Sequence, residues 1–159
     1  RMVLECNPEI IVVHCGRNDW NFRSWGAAPS DVAAEAAAAL LSLFTLFEQH
    51  PSIRAVFYLL TSRAPIDTEQ SWQYMVDLAA RVQQRLPSKT RVIDLRDVMH
   101  PLDHYYVDHV HLNAEGHAAN ASAFLAKIRA LQIGLGAPYA VSQHCSVPFP
   151  CAMPQGRFV

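Results

Sequence analysis

The sequence predicts an α/β domain, a parallel sheet with helices on both faces. Three observations lead there. Apolar runs at 9–15 and 53–60 are too continuous for half-exposed strands and suit strands buried on both faces, and 91–95 reads as a short third strand. Helical patterns lie between and after these runs, so strands and helices alternate and right-handed crossovers follow. Of the 159 residues, 51% are hydrophobic and 17% charged, enough to build one domain's core.

The first strand reads Glu-Ile-Ile-Val-Val-His-Cys and stops at a polar turn, Gly16-Arg17-Asn18-Asp19-Trp20. Ser30 is placed to cap the next helix, with Asp31 and Glu35 near its positive end. That helix runs to about Gln49, is apolar nearly all round, and therefore expects cover on more than one side. His50-Pro51 ends it. After the second strand, Asp67 and Gln70 form a capping box that opens a helix over 68–86. Trp72, Met75, Val76, Ala79, Val82 and Leu86 share one stripe of it, and Pro87 stops it. The third strand is short. Residues 96–112 are irregular, and Asn113 caps a last helix that runs to about Leu131. The expected organisation is one unit over 1–133 and a Pro-rich tail without periodicity over 134–159.

Several classes of function are disfavoured. The net charge is -1, without the basic face of a nucleic-acid binder or the polybasic stretch of a membrane-surface protein. The most apolar stretch, 32–47, is mostly alanine, carries Glu35, and falls short of a membrane span, so no span is expected. Four cysteines, Cys6, Cys15, Cys145 and Cys151, make no Cys-x-x-Cys pair and read as free thiols, although Cys145 and Cys151 are near enough in sequence to bridge. Asn120-Ala121-Ser122 is a glycosylation sequon that falls in a predicted helix.

Ligands of open α/β sheets bind beyond the carboxyl ends of the strands. Three polar groups fall there: residues 16–19, residues 61–63 and residues 108–111. Asn18 offers an amide donor that suits an oxyanion. Asp108 and His111, three apart, suit an orienting carboxylate and a general base. Each has a plainer reading, since Gly, Asn and Asp also dominate turns for backbone reasons. His14 within an apolar strand reads as a core histidine, and His109 and His117 as solvated neighbours. Trp20 and Trp25 read either as cleft walls or as packing residues. His104, Asp108, His109 and His111 crowd eight residues, so a metal site is a competing reading; against it, the cysteines are badly spaced and no further ligand set appears.

Gly16-x-Asn18-Asp19 after an apolar strand resembles the third block of the SGNH (GDSL-type) hydrolases. Asp108-x-x-His111, followed by Leu112-Asn113-Ala114-Glu115-Gly116-His117, resembles the fifth block. The resemblance spans residues 8 to 131. It implies a flavodoxin-like three-layer α/β/α fold and acyl-ester hydrolysis without a metal or other cofactor. It also implies Asn18 as oxyanion donor, His111 as base, Asp108 as its partner, and Gly16 and Asp19 as shapers of the turn that presents Asn18. The implied substrate is a small-molecule or glycan acyl ester: a carbohydrate O-acetyl group or a small lipid ester. The Gly-Asp-Ser block that carries the family's nucleophile is absent, and Ser62 is the nearest positional candidate within the chain. Three strands are also few for such a sheet. The expectation is therefore the C-terminal portion of a domain of this kind, incomplete on its N-terminal side and prone to self-association. The alternatives are a non-catalytic ligand-binding relative of these hydrolases and a metal-binding His cluster.

Overall fold

The computed structural model describes residues 2–23, 26–60, 62–98 and 102–132. Three strands, β1 (Ile10–Val13), β2 (Ala55–Leu60) and β3 (Thr90–Asp94), form one sheet in the order β1-β2-β3, all parallel. The helices are α1 (Met2–Glu5), α2 (Arg17–Arg23), α3 (Pro29–Gln49), α4 (Glu69–Gln83) and α5 (Ala114–Gln132), with a 3-10 turn at Leu102–Tyr105.

The alternation of side chains along a strand separates the two faces. Val56, Tyr58 and Leu60 point with Ile11 and Val13 towards α3 and α4, forming the larger core. Phe57, Ile93 and Leu95 point the other way and meet Ala123, Phe124, Ile128 and Leu131 of α5. Phe57 and Phe124 meet edge to face at 6.3 Å. Helices thus cover both faces, and the expected three-layer α/β architecture is observed. Cover on the α5 face is unequal. It reaches β2 and β3, whereas on the edge strand β1 Ile10 and Val12 remain 44% and 48% exposed.

The ends of the helices differ from the sequence expectations. Ala28 occupies the N-cap position of α3 without a side-chain cap, and Pro29 opens the helix, where its missing N–H costs no hydrogen bond. Ser30 therefore lies inside the first turn. α3 buries one face, Val32, Ala33, Ala36, Ala37, Leu40 and Phe44, while its outer face carries exposed Ala34, Ala38 and Ala39. Alanine counts as apolar but presents little area, so one-sided cover suffices. By length and composition α3 does meet the criterion for a membrane-crossing helix, contrary to the sequence reading, with a mean hydropathy of 1.5. Its buried stripe nevertheless packs on α4 and the sheet.

In α4 the N-cap is Thr68, which accepts from the Ser71 N–H, rather than Asp67. The buried face of α4 includes Tyr74 and Leu78 beside the expected Met75, Ala79 and Val82. Glu48, at the end of α3, accepts from the backbone N–H of Lys89 and from Thr90 Oγ1 at 3.2 Å, which ties α3 to the start of β3. Trp25, Cys145, Cys151 and the tail over 134–159 lie outside the described residues.

Candidate active site

Residues that follow β1 and β2 line one cleft together with residues of the loop 106–112. At the end of β1 the backbone turns at Gly16, whose φ of +112° lies in the region that favours glycine. Two buried tyrosines hold this turn from below. Tyr58 Oη donates to the Cys15 carbonyl at 3.2 Å, and Tyr74 Oη donates to the Gly16 carbonyl at 2.6 Å. Burial pushes the Tyr58 phenol well above its ordinary range, so it stays protonated and donating. What the sequence presents as a polar turn, 17–20, is the first turn of α2. Asp19 stands in that turn, where a carboxylate favours the helix N-terminus, and Trp20 is buried, stacked on Tyr74 at 5.7 Å. Trp20 is thus a packing residue. Asn18 is exposed and faces the cleft with Gly16 and Asp19.

The opposite side is the loop 106–112, closed by an antiparallel bridge between Tyr106 and Leu112 and by Val107 N–H donating to the His111 carbonyl at 2.8 Å. Within it Asp108 Oδ1 accepts from the backbone N–H of Val110 at 3.0 Å and of His111 at 2.7 Å. His111 Nδ1 lies 2.8 Å from Asp108 Oδ2 and 3.1 Å from Oδ1. A carboxylate only accepts, so Nδ1 donates, and the neutral ring keeps Nε2 as its free basic nitrogen. The His111 side chain, followed by the two backbone donors, holds the Asp108 carboxyl far below the usual carboxylate range.

The loop leads straight into α5. Asn113 Nδ2 donates to the His104 carbonyl at 2.7 Å, and Asn113 Oδ1 caps α5 by accepting from Gly116 N–H at 2.8 Å. Gly116 is buried, and a Cβ there would strike the Tyr105 carbonyl, so the small residue sets how closely α5 approaches the loop.

The cleft has a volume of about 350 Å³. Gly16, Asn18 and Asp19 form one side, Val110 and Leu112 the other, and Ser62, Tyr106 and Asn120 also line it. Asp108 and His111 are brought together as a pair, but they stand at the rim: their side chains are 58% and 77% exposed, and neither lines the cleft. Ser62 is buried; its hydroxyl lies 3.5 Å from Tyr106 Oη, and among the described residues no imidazole hydrogen-bonds it. His14 follows β1 rather than lying inside it and is exposed, which corrects the core reading. Partial withdrawal of its ring from water first, then the charge of Arg17, lower its pKa. His109 and His117 are exposed.

The members of the His cluster face different partners. His104 Nε2 pairs with Glu115 at 2.7 Å, and His111 with Asp108. Among the described residues no three His, Cys, Asp or Glu side chains are gathered to hold a metal ion. Asn120, the sequon asparagine, sits in α5, and among the described residues its Oδ1 is buried without a hydrogen-bond partner.

Three residues for which the sequence suggested no individual role in the site, Arg17, Asp67 and Tyr106, connect its segments. Arg17 pairs with Asp67 and reaches the Ser62 carbonyl at 3.4 Å, while Tyr106 Oη donates to the Arg63 carbonyl at 3.1 Å. Asp67 misses its expected capping position because its carboxylate is turned to Arg17 and to the Ala64 N–H, the latter at 2.7 Å.

No protein-family model matches the sequence, and no curated protein matches it. Among solved structures, a carbohydrate esterase family 3 protein from Talaromyces cellulolyticus superposes with a TM-score of 0.59 at 18% sequence identity. The match covers 84% of this chain and 63% of that one, so the present chain spans under two thirds of the esterase's length. Fold and site together define an α/β protein whose fold is similar to that of this esterase, with a cleft beyond the carboxyl ends of β1 and β2.

Proposed function

We propose that this chain belongs to an SGNH-type serine esterase and contributes the base and an oxyanion donor of its active site. The observation that carries the reading is the Asp108–His111 pair, whose neighbours Val110 and Leu112 line the cleft opposite Asn18. In this reading His111 Nε2 takes the proton of a nucleophilic serine, and Asp108 holds the imidazole tautomer and stabilises the positive charge that develops. Asn18 donates to the oxyanion of the tetrahedral intermediate, and Gly16 and Asp19 shape the turn that presents it. The serine lies on a segment outside these 159 residues. The substrate is an acyl ester, of a carbohydrate or of a small lipid, and the esterase neighbour supports the reading at the level of fold.

The test is a fluorophosphonate probe and p-nitrophenyl acetate turnover on the natural gene product, compared with the 159-residue chain alone. The natural product should be labelled, and the isolated chain should form no acyl-enzyme. In the natural product His111→Ala should lower kcat by about 10³-fold or more, and Asn18→Ala by about 10²–10³-fold. Near-normal turnover in His111→Ala removes the base assignment. Absence of labelling in the natural product replaces the esterase with a ligand-binding protein of the same fold.

A further inference from the structure

Asn18 and the Asp108–His111 pair belong to elements far apart in sequence, and a hydrolytic site needs their separation fixed. Arg17 immediately precedes Asn18 on α2 and touches both intervening structures. Its guanidinium pairs with Asp67 on the loop between β2 and α4 and reaches the Ser62 carbonyl on the same loop. The Tyr106 hydroxyl, at the root of the loop 106–112, lies against the same guanidinium. That hydroxyl donates to the Arg63 carbonyl, and Ile66 N–H donates to the His109 carbonyl at 3.2 Å, within the loop that carries the pair. An unbroken chain of polar contacts thus runs from Asn18's helix, through 62–67, to Asp108 and His111.

The chemistry suits holding rather than binding. Asp67 is 5% exposed and Arg17 23%, so the pair is largely withdrawn from water. The carboxylate neutralises the guanidinium, which leaves little net charge to attract an anionic substrate. A planar guanidinium also fixes direction as well as distance, because its N–H groups form a rigid fork.

We propose that Arg17, through Asp67 and Tyr106, is a positioning residue that holds the loop of Asp108 and His111 at a fixed place opposite Asn18. As a catalytic device it rests on the hydrolase reading above; as a clamp between loops it does not.

Amide hydrogen exchange followed by NMR on the 159-residue chain tests the clamp without turnover. In Arg17→Met and in Asp67→Asn, the Ile66 amide should exchange at least about tenfold faster, while the β2 amides keep their protection. Arg17→Lys, which keeps the charge and loses the fork, should fall between Arg17→Met and the wild type. Ile66 protection unchanged in both Arg17→Met and Asp67→Asn overturns the proposal. Should both variants also lose β2 protection, Tyr106→Phe decides, since it removes one hydroxyl: faster Ile66 exchange supports the clamp and unchanged exchange overturns it. In the hydrolytically active natural product, Arg17→Met should lower kcat by about 10–100-fold with little change in KM, and Arg17→Lys should recover part of it. A changed Ile66 amide with no hydrolysis in any preparation removes the esterase and leaves the clamp. Hydrolysis indifferent to Arg17→Met removes the positioning role and leaves the esterase.

Discussion

Replacing Gly16 by alanine puts a methyl group into the tightest part of the cleft floor. The added Cβ would lie 2.9 Å from Leu78 Cδ2 and 3.1 Å from Tyr58 Oη, up to about half an ångström inside ordinary contact. Both neighbours are fully buried, so neither side chain can swing into solvent. A shift of Tyr58 would also stretch its hydrogen bond to the Cys15 carbonyl. Two costs add. A non-glycine residue at this φ costs about 1–3 kcal/mol in backbone strain, and overpacking a filled site costs about 1–3 kcal/mol. Gly16→Ala should therefore destabilise by about 2–6 kcal/mol, measured as a lower urea midpoint at unchanged slope. Gly26 supplies the control, since its φ is +77° and a Cβ there meets nothing within 4 Å. Gly26→Ala should show the strain alone, about 1–2 kcal/mol. If Gly16→Ala destabilises no more than Gly26→Ala, the packing argument for this turn is wrong.

Asp108 yields a prediction about pH. Its folded pKa is depressed, so what its pairing adds to the loop is complete above the ordinary aspartate value of 3.8 and lost only as pH falls through the lower folded value. Its carboxyl 13C shift should still be that of a carboxylate at pH 3.8; a half-titrated signal there would show that the pair does not hold in solution. The edge of β1 yields another. Ile10 and Val12 are exposed on an edge strand, and such edges invite pairing between copies. Light scattering should show association that grows with concentration and weakens in Val12→Lys; a wild-type monomer at all concentrations counts against it.

The parts of this fold that were legible in the sequence are those set by local patterning. The apolar runs locate β1 and β2, although β1 buries only one of its faces, Ile11 and Val13, and leaves Ile10 and Val12 exposed. Asp108 and His111 are legible as a pair because they stand three positions apart, and one short loop brings them together. Residues 16–20 misled because Gly16, Asn18 and Asp19 signal a turn, whereas Trp20 packing on Tyr74 favours a helix, and that contact is tertiary. Asp67 misled for a related reason. Its sequence neighbourhood reads as a capping box, but a half-buried arginine fifty residues away draws the carboxylate elsewhere. The roles of Tyr58 and Tyr74 beneath Gly16 depend on how strands and helices stack, which no short window of sequence contains.

The two sides of the cleft are moored to cores of very different size. Asn18's side joins the large cluster shared by β1, α3 and α4, whereas the loop with His111 runs into α5, which rests on Phe57, Ile93 and Leu95. Segments with fewer buried apolar contacts open at lower free energy than the molecule as a whole. On heating, α5 and its loop therefore release while α3, α4 and most of the helical content stay folded. The cleft then loses one wall within a molecule that is still largely native, so the site opens before the molecule melts, and its lifetime is set by the hold of α5 on the sheet.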